Sequence, residues 1–145
     1  MMCRIEKLDK MLIKEYEDFK FDEIIKLYEA VGWTNYLKRS DMLKPAYENS
    51  LCVLGAYDGN ELIGIIRVVG DGFSVIFILD IIVLPEYQRQ GIGTKLLKAV
   101  IDRYKDVYQM ELMTDNTEKT KAFYRSLGFA ASDDIGCMAF IRIQS

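Results

Sequence analysis

The residues Gln88-Arg89-Gln90-Gly91-Ile92-Gly93 join a cation, amides and two glycines where an apolar run gives way to a helical pattern. Val75–Leu84 has the length and β-branched content of a buried strand. Pro85 ends it, because a proline cannot supply the next ladder donor. Beyond the glycines, Ile92, Leu96, Leu97, Val100, Ile101 and Tyr104 recur at helical spacing and keep one face apolar. Strand, glycine turn, helix is an anion-binding arrangement. Free amides at a helix start point outward, the macrodipole adds partial positive charge, and glycine removes the Cβ that would hold an anion off the backbone. Arg89 and Lys95 add side-chain charge. There is no Gly-x-x-x-x-Gly-Lys and no Gly-x-Gly-x-x-Gly, so the usual nucleotide loops do not fit.

The rest of the chain limits the chemistry. It has no histidine, which removes Ser-His and Cys-His nucleophile pairs and the commonest metal ligand, and no metal site is expected. Cys3, Cys52 and Cys137 are widely spaced, as suits free thiols in a reducing compartment. The net charge of −3 and the lack of a dense basic block give no nucleic-acid footprint. No apolar run approaches the ~20 residues of a membrane helix, and the N-terminus lacks the apolar centre of a signal peptide. A cytoplasmic protein is expected, without membrane or nucleic-acid partners. At 145 residues and 50% hydrophobic, with nine Tyr and seven Phe, residues 1–145 read as one globular domain.

The elements that must position the turn follow from punctuation. A short strand is expected at Arg4–Leu8, a helix at Phe21–Gly32 with Phe21, Ile24, Ile25, Tyr28 and Val31 on one face, and a second helix at Ser40–Asn49 that starts late or kinks at Pro45. Leu51–Tyr57, Glu61–Val69 and Phe73–Leu84 form an antiparallel meander turned at Asp58-Gly59-Asn60 and Gly70-Asp71-Gly72. The helix Gly91–Lys105 then crosses to a parallel strand, Val107–Thr114. A last helix covers Glu118–Leu127, with Asp115 and Glu118 spaced as a capping box and Gly128 as its stop. Phe129–Ala131 and Cys137–Ile143 are expected as final strands. The result is an α+β class domain, a central mixed β-sheet flanked by about four helices.

Gln88-Arg89-Gln90-Gly91-Ile92-Gly93, with the preceding Ile81-Ile82-Val83-Leu84-Pro85, closely resembles the acetyl-CoA motif Gln/Arg-x-x-Gly-x-Gly/Ala of the GNAT superfamily of N-acetyltransferases. Ala122-Phe123-Tyr124-Arg125-Ser126-Leu127-Gly128-Phe129 is similar to that family's second hallmark, a helix ending in Tyr-x-x-x-Gly-Phe. The resemblance implies the GNAT acyl-CoA N-acyltransferase fold and acetyl-CoA as co-substrate. It implies that Arg89, Gln90, Gly91, Ile92, Gly93 and Thr94 hold the pyrophosphate. Ile81, Ile82 and Val83 would pair with the pantetheine arm, and a backbone N–H at Ile82 or Val83 would meet the carbonyl oxygen. Many members carry an asparagine seven residues before the tyrosine. Here Thr117 stands there and Asn116 is one residue early, so that contact is lost, shifted or made by a hydroxyl.

Tyr124 matches the family's acid for the departing thiolate. A thiol pKa of about 8.5 against about 10 for tyrosine makes full proton transfer uphill by ~2 kcal/mol, so a strong hydrogen bond is the expected role. Attack requires a neutral amine. Asp80 interrupts an apolar strand and is the candidate base, against readings as an amine anchor or a satisfied structural carboxylate. Trp33 and Tyr36 are candidate walls of an amine pocket by cation–π contact, against a packing role. Val-Gly-Trp, Ile-Leu-Asp-Ile-Ile-Val and Phe-Tyr-x-x-Leu-Gly-Phe are also similar to plant-type arylalkylamine N-acetyltransferases. Acceptors thus include an aromatic amine, a polyamine, an aminoglycoside or a peptide amine. Two other classes compete: a non-catalytic acetyl-CoA-binding module, and an interaction protein whose edge strand Cys137–Ile143 pairs two copies as a homodimer.

Overall fold

The apolar runs form strands, and the turns between them fall where glycine permits. The computed structural model of the protein describes residues 11–144. The strand expected at Arg4–Leu8 lies outside them. The described residues form two compact units, one up to Leu112 and one from Met113.

In the first unit β1 (Met11–Glu15), β2 (Cys52–Asp58), β3 (Glu61–Gly70), β4 (Val75–Val83) and β5 (Gln109–Leu112) make a five-stranded sheet in the order β1-β2-β3-β4-β5. Neighbours from β1 to β4 are antiparallel, and β4 and β5 are parallel. Asp58 pairs with Glu61, which leaves Gly59 and Asn60 as the hairpin turn, with Gly59 at φ 62°. Gly70 sits at φ 133°, and a Cβ there would lie 2.4 Å from the Val75 carbonyl oxygen, so only glycine closes the β3–β4 turn. Asp71 fastens that turn, accepting from the amides of Phe73 and Ser74 at 2.8 Å each.

Helices cover both faces of the sheet. The side chains of α1 (Phe21–Ala30) reach Asp80 through Tyr28. The N-terminus of α4 (Ile92–Arg103) meets Val83, three residues on and therefore on the opposite face. Ile24, Leu27 and Tyr28 are the buried face of α1, whereas the expected Phe21 is 45% exposed; the stripe runs through Leu27 instead. Between α1 and β2 lie a short helix α2 (Asn35–Lys38) and α3 (Leu43–Glu48). Pro45 occupies the first turn of α3, where its missing N–H has no intrahelical acceptor to lose. The second helix therefore starts late and is not kinked. The core is Ile24, Leu27, Tyr28 and Leu43 with the inward residues of β2–β4 and Ile92, Leu96, Leu97 and Val100 of α4.

The second unit holds α5 (Glu118–Ser126) and a 3-10 turn at Ser132–Ile135. Thr117, not Asp115, caps α5: its hydroxyl oxygen accepts from the Thr120 amide at 3.3 Å, while Asp115 takes the Thr114 hydroxyl at 3.2 Å. The expected strands at Phe129–Ala131 and Cys137–Ile143 do not form among the described residues. A strand requires a partner and a face to bury. Met138, Phe140, Ile141 and Ile143 are 66–92% exposed, with both parities of the run uncovered.

Candidate active site

The strand β4 carries the site because it is paired unevenly. Its ladder to β5 runs from Val75–Gln109 to Ile78–Leu112 and stops. Its ladder to β3 continues to Gly64–Val83, with one slip: Arg67 faces Asp80 but Val68 faces Ile78, so Leu79 is a bulge. Beyond the bulge, β4 has a ladder partner on the β3 side alone among the described residues.

The direction of its amides follows from one bond. The Leu84 N–H donates to the Ile63 carbonyl at 2.9 Å, so Leu84 faces β3. Alternation turns Ile82 to the same side, and Ile81 and Val83 to the open edge. The Val83 carbonyl agrees, since it accepts from Gln88 Nε2 at 3.0 Å rather than from β3. Of the two amides considered for a carbonyl oxygen, that of Val83 faces outward and that of Ile82 inward.

The turn beyond β4 reaches the helix through two left-handed residues, Arg89 at φ 65° and Gly91 at φ 79°. Arg89 in that region costs about 1–2 kcal/mol. Gly91 is the N-cap of α4 and its carbonyl accepts from Lys95 at 3.0 Å. The first amides of the helix, at Ile92, Gly93 and Thr94, precede any intrahelical acceptor. Gly93 lies against Val83: a Cβ there would sit 3.9 Å from Val83 Cγ2. An outward strand edge thus leads directly to outward helix amides. That fits an extended chain bearing a pyrophosphate, as in acetyl-CoA. No group of metal-ligating residues exists among the described residues.

The opposite face of β4 holds a buried polar cluster. Asp80 is 1% and Arg67 6% exposed, and Arg67 Nε donates to Asp80 Oδ2 at 2.9 Å. Tyr28 donates to the same oxygen at 2.9 Å. Its proton is committed there, so Tyr47 donates to the Tyr28 oxygen at 2.7 Å. Tyr36 donates to Asp80 Oδ1 at 3.4 Å. Arg67 also lies over the Tyr47 ring at 5.3 Å and reaches Ser50 Oγ at 3.4 Å. Burial raises the phenol pKa values of Tyr28, Tyr36 and Tyr47. Trp33 and Tyr36, separate expectations from the sequence, come together with Asp80 through Tyr28, which stacks on Tyr36 at 4.7 Å and on Trp33 at 6.1 Å. Tyr28, Tyr47 and Arg67 are the residues that sequence reasoning missed. The signal was available: Arg67 breaks the apolar run Leu62–Val69 as Asp80 breaks its own, and a cation and an anion in adjacent strands can neutralise each other.

In the second unit, Tyr124 is half-buried, edge-on to Phe123 at 5.0 Å and to Phe129 at 5.9 Å. Burial pushes its pKa up, against a smaller lowering from the Thr114 hydroxyl. The Thr117 hydroxyl is engaged in the cap, donating to Thr120 Oγ1 at 2.9 Å, and Asn116 is exposed.

Known proteins resemble this chain in sequence and in fold. Residues 10–129 match the family model described as the acetyltransferase (GNAT) family. A solved GNAT-family acetyltransferase from Streptococcus pneumoniae TIGR4 is 46% identical, with a TM-score of 0.83, over 92% of this chain and 98% of that one. The uncharacterized N-acetyltransferase ycf52 of Gracilaria tenuistipitata var. liui is 32% identical over 119 residues, 77% of this chain and 63% of that protein. GCN5-related N-acetyltransferase 1, chloroplastic, of Arabidopsis thaliana is 24% identical over 97% of this chain. The chain spans about three-fifths of the length of the first curated relatives it matches, at 63%, 59% and 61%. A family match that covers both hallmark motifs and a relative of this identity establish that the chain belongs to the GNAT family of acetyltransferases.

Proposed function

We propose that the protein moves an acetyl group from acetyl-CoA to a primary amine by direct attack. The observation that carries this reading is the one-sided pairing of β4 beyond Leu79, continuous with the amides of Ile92, Gly93 and Thr94. Acetyl-CoA supplies an activated thioester. Ile81 and Val83 bind its arm through backbone groups, and the Val83 N–H is set to stabilise negative charge on the carbonyl oxygen. The turn residues Arg89, Gln90 and Gly91, with Ile92, Gly93 and Thr94, bind the pyrophosphate through amides and the helix dipole. Tyr124 hydrogen-bonds the departing sulfur; its raised pKa keeps the phenol protonated and makes it a donor rather than a strong acid.

Asp80 serves the amine as an anchor through Tyr36 rather than as a base. Taking a proton would leave Arg67 buried and unpaired, which costs about 3–5 kcal/mol. The bound ammonium loses one proton to solvent before attack, and the proton lost on amide formation ends on the departing sulfur as the free CoA thiol. Tyr36, donating inward to Asp80, keeps its oxygen lone pairs for an ammonium, and Trp33, 37% exposed, adds an aromatic wall. An amine with an aromatic or extended apolar body suits these walls, and a peptide amine is the second class. The free, buried thiol of Cys52 supports a reducing compartment such as the cytoplasm; a relative named as chloroplastic makes an organelle the competing location.

A free-thiol release assay over aromatic amines, polyamines, aminoglycosides and peptides tests the reading. Release with one class establishes transfer. Saturable acetyl-CoA binding without release from any class replaces it with a non-catalytic binding module. Asp80→Asn separates the roles: a raised KM with kcat kept supports the anchor, and a kcat loss deepest at low pH supports a base.

A further inference from the structure

Arg67 and Asp80 are direct cross-strand partners, and the ladder slips by one residue immediately beside them. The β5 ladder ends at the same level, at Ile78. The bulge at Leu79 therefore marks where β4 turns from a strand paired on both edges into one paired on one. Which amides face outward depends on this slip being made before Ile81. Losing it would pair Ile81 with Ile65 and Ile82 with Gly64, turn the Ile82 N–H outward and the Val83 N–H inward, and carry every later side chain to the other face.

The apolar side chains do not specify the slip. Ile65 faces Ile82 and Ile63 lies opposite Leu84; without the slip Ile65 would face Ile81 and Ile63 would face Val83, again isoleucine against a branched aliphatic side chain. What differs is the ion pair. Across this part of both strands, Arg67 and Asp80 are the buried charged residues. In the observed register they neutralise each other at 2.9 Å, with Tyr28, Tyr36 and Tyr47 from α1, α2 and α3 closing around them. In a shifted register each would be buried without its partner. A buried ion pair contributes little net stability over an apolar pair, but it discriminates strongly between arrangements.

We propose that the Arg67–Asp80 pair is a register lock. It positions the bulge at Leu79 and so presents the amides of Ile81, rather than Ile82, and Val83 at the open edge. Arg67 is a positioning residue in this scheme. Its catalytic consequence rests on the acetyl-transfer reading, since that reading assigns the edge to the donor; the register does not.

The test uses the full chain, isotopically labelled, as wild type, Arg67→Lys and the double variant Arg67→Met with Asp80→Asn. Cross-strand NOEs report the register, and amide exchange reports which groups face β3. Wild type shows one Ile66–Ile81 contact, with slow exchange at Ile82 and Leu84 and fast exchange at Ile81 and Val83. Arg67→Lys keeps that pattern. The double variant shows an additional Gly64–Ile82 contact or a lost Ile82–Val83 contrast, and kcat falls about 10–100-fold, the scale of a misplacement near 1 Å. A double variant with the wild-type NOE and exchange pattern overturns the lock. So does one that fails to fold, because the lock requires a slipped sheet and not its loss. A slipped register with unchanged kcat overturns the positioning role. Wild type with a single register but no thiol release from any amine overturns the acetyl-transfer reading and leaves the lock standing.

Discussion

Tyr28→Phe removes one oxygen atom from the centre of the buried cluster. Tyr28 is fully buried, and its hydroxyl both donates to Asp80 Oδ2 at 2.9 Å and accepts from Tyr47 at 2.7 Å. Asp80 Oδ2 keeps Arg67 Nε after the change, so the carboxylate stays paired. The lost bond to a charged group is worth about 1.5–3 kcal/mol, and the Tyr47 hydroxyl, left buried without an acceptor, adds up to about 1–3 kcal/mol. Overlap between the two terms sets the expected loss at about 2–4 kcal/mol. That is a large part of the ~5–15 kcal/mol total of such a domain. Adding Tyr47→Phe removes the stranded donor as well, so the double variant should lose about 1 kcal/mol less than the sum of the singles. Urea denaturation gives both numbers from the midpoint shift at constant slope. A Tyr28→Phe loss under about 0.5 kcal/mol, or strict additivity with Tyr47→Phe, would refute the bridging geometry.

Three further outcomes follow. Gly91→Ala has open space around its Cβ but must hold φ 79°, so it should lose about 1–2 kcal/mol of stability by urea denaturation and weaken acetyl-CoA binding in calorimetry. Tyr124→Phe should lower kcat about 10–100-fold, the value of one strong hydrogen bond in the transition state, while acetyl-CoA affinity changes little; unchanged kcat removes it from the mechanism. Burial pushes Tyr16 up to about 12 and raises Tyr28 and Tyr47 as well. Phenols raised above their unfolded value of about 10 contribute stability that is full below that pH and lost as pH rises toward the folded values. The melting temperature should hold to about pH 9.5 and fall above pH 10, less steeply in Tyr28→Phe; a fall beginning near neutral pH would contradict this assignment.

The sheet was largely legible because its signals are local. Asp58-Gly59-Asn60 and Gly70-Asp71-Gly72 turn where the φ angles need glycine, and the meander follows from them. The crossover helix and its parallel strand followed from Pro85 and the paired glycines. What failed depended on partners distant in sequence. Cys137–Ile143 has strand composition, but composition alone cannot supply a ladder. Phe21 and Leu27 exchanged roles because the face a helix buries is fixed by the sheet beneath it. At the site, Asp80 stood out as a charge in an apolar strand, while its neutralisation by Arg67 required the register between two strands. The choice between the Ile82 and Val83 amides likewise depended on that register and on the bulge at Leu79, and a sequence does not display either.

The central claim is that the open edge of β4 and the turn through Gly91 hold acetyl-CoA. Calorimetric titration of the full chain with acetyl-CoA, beside Gly91→Ala, tests it most directly. The account predicts saturable one-to-one binding by wild type and weaker binding by the variant at the same folded fraction. Absence of binding by folded wild type, or equal affinity in both, would contradict it.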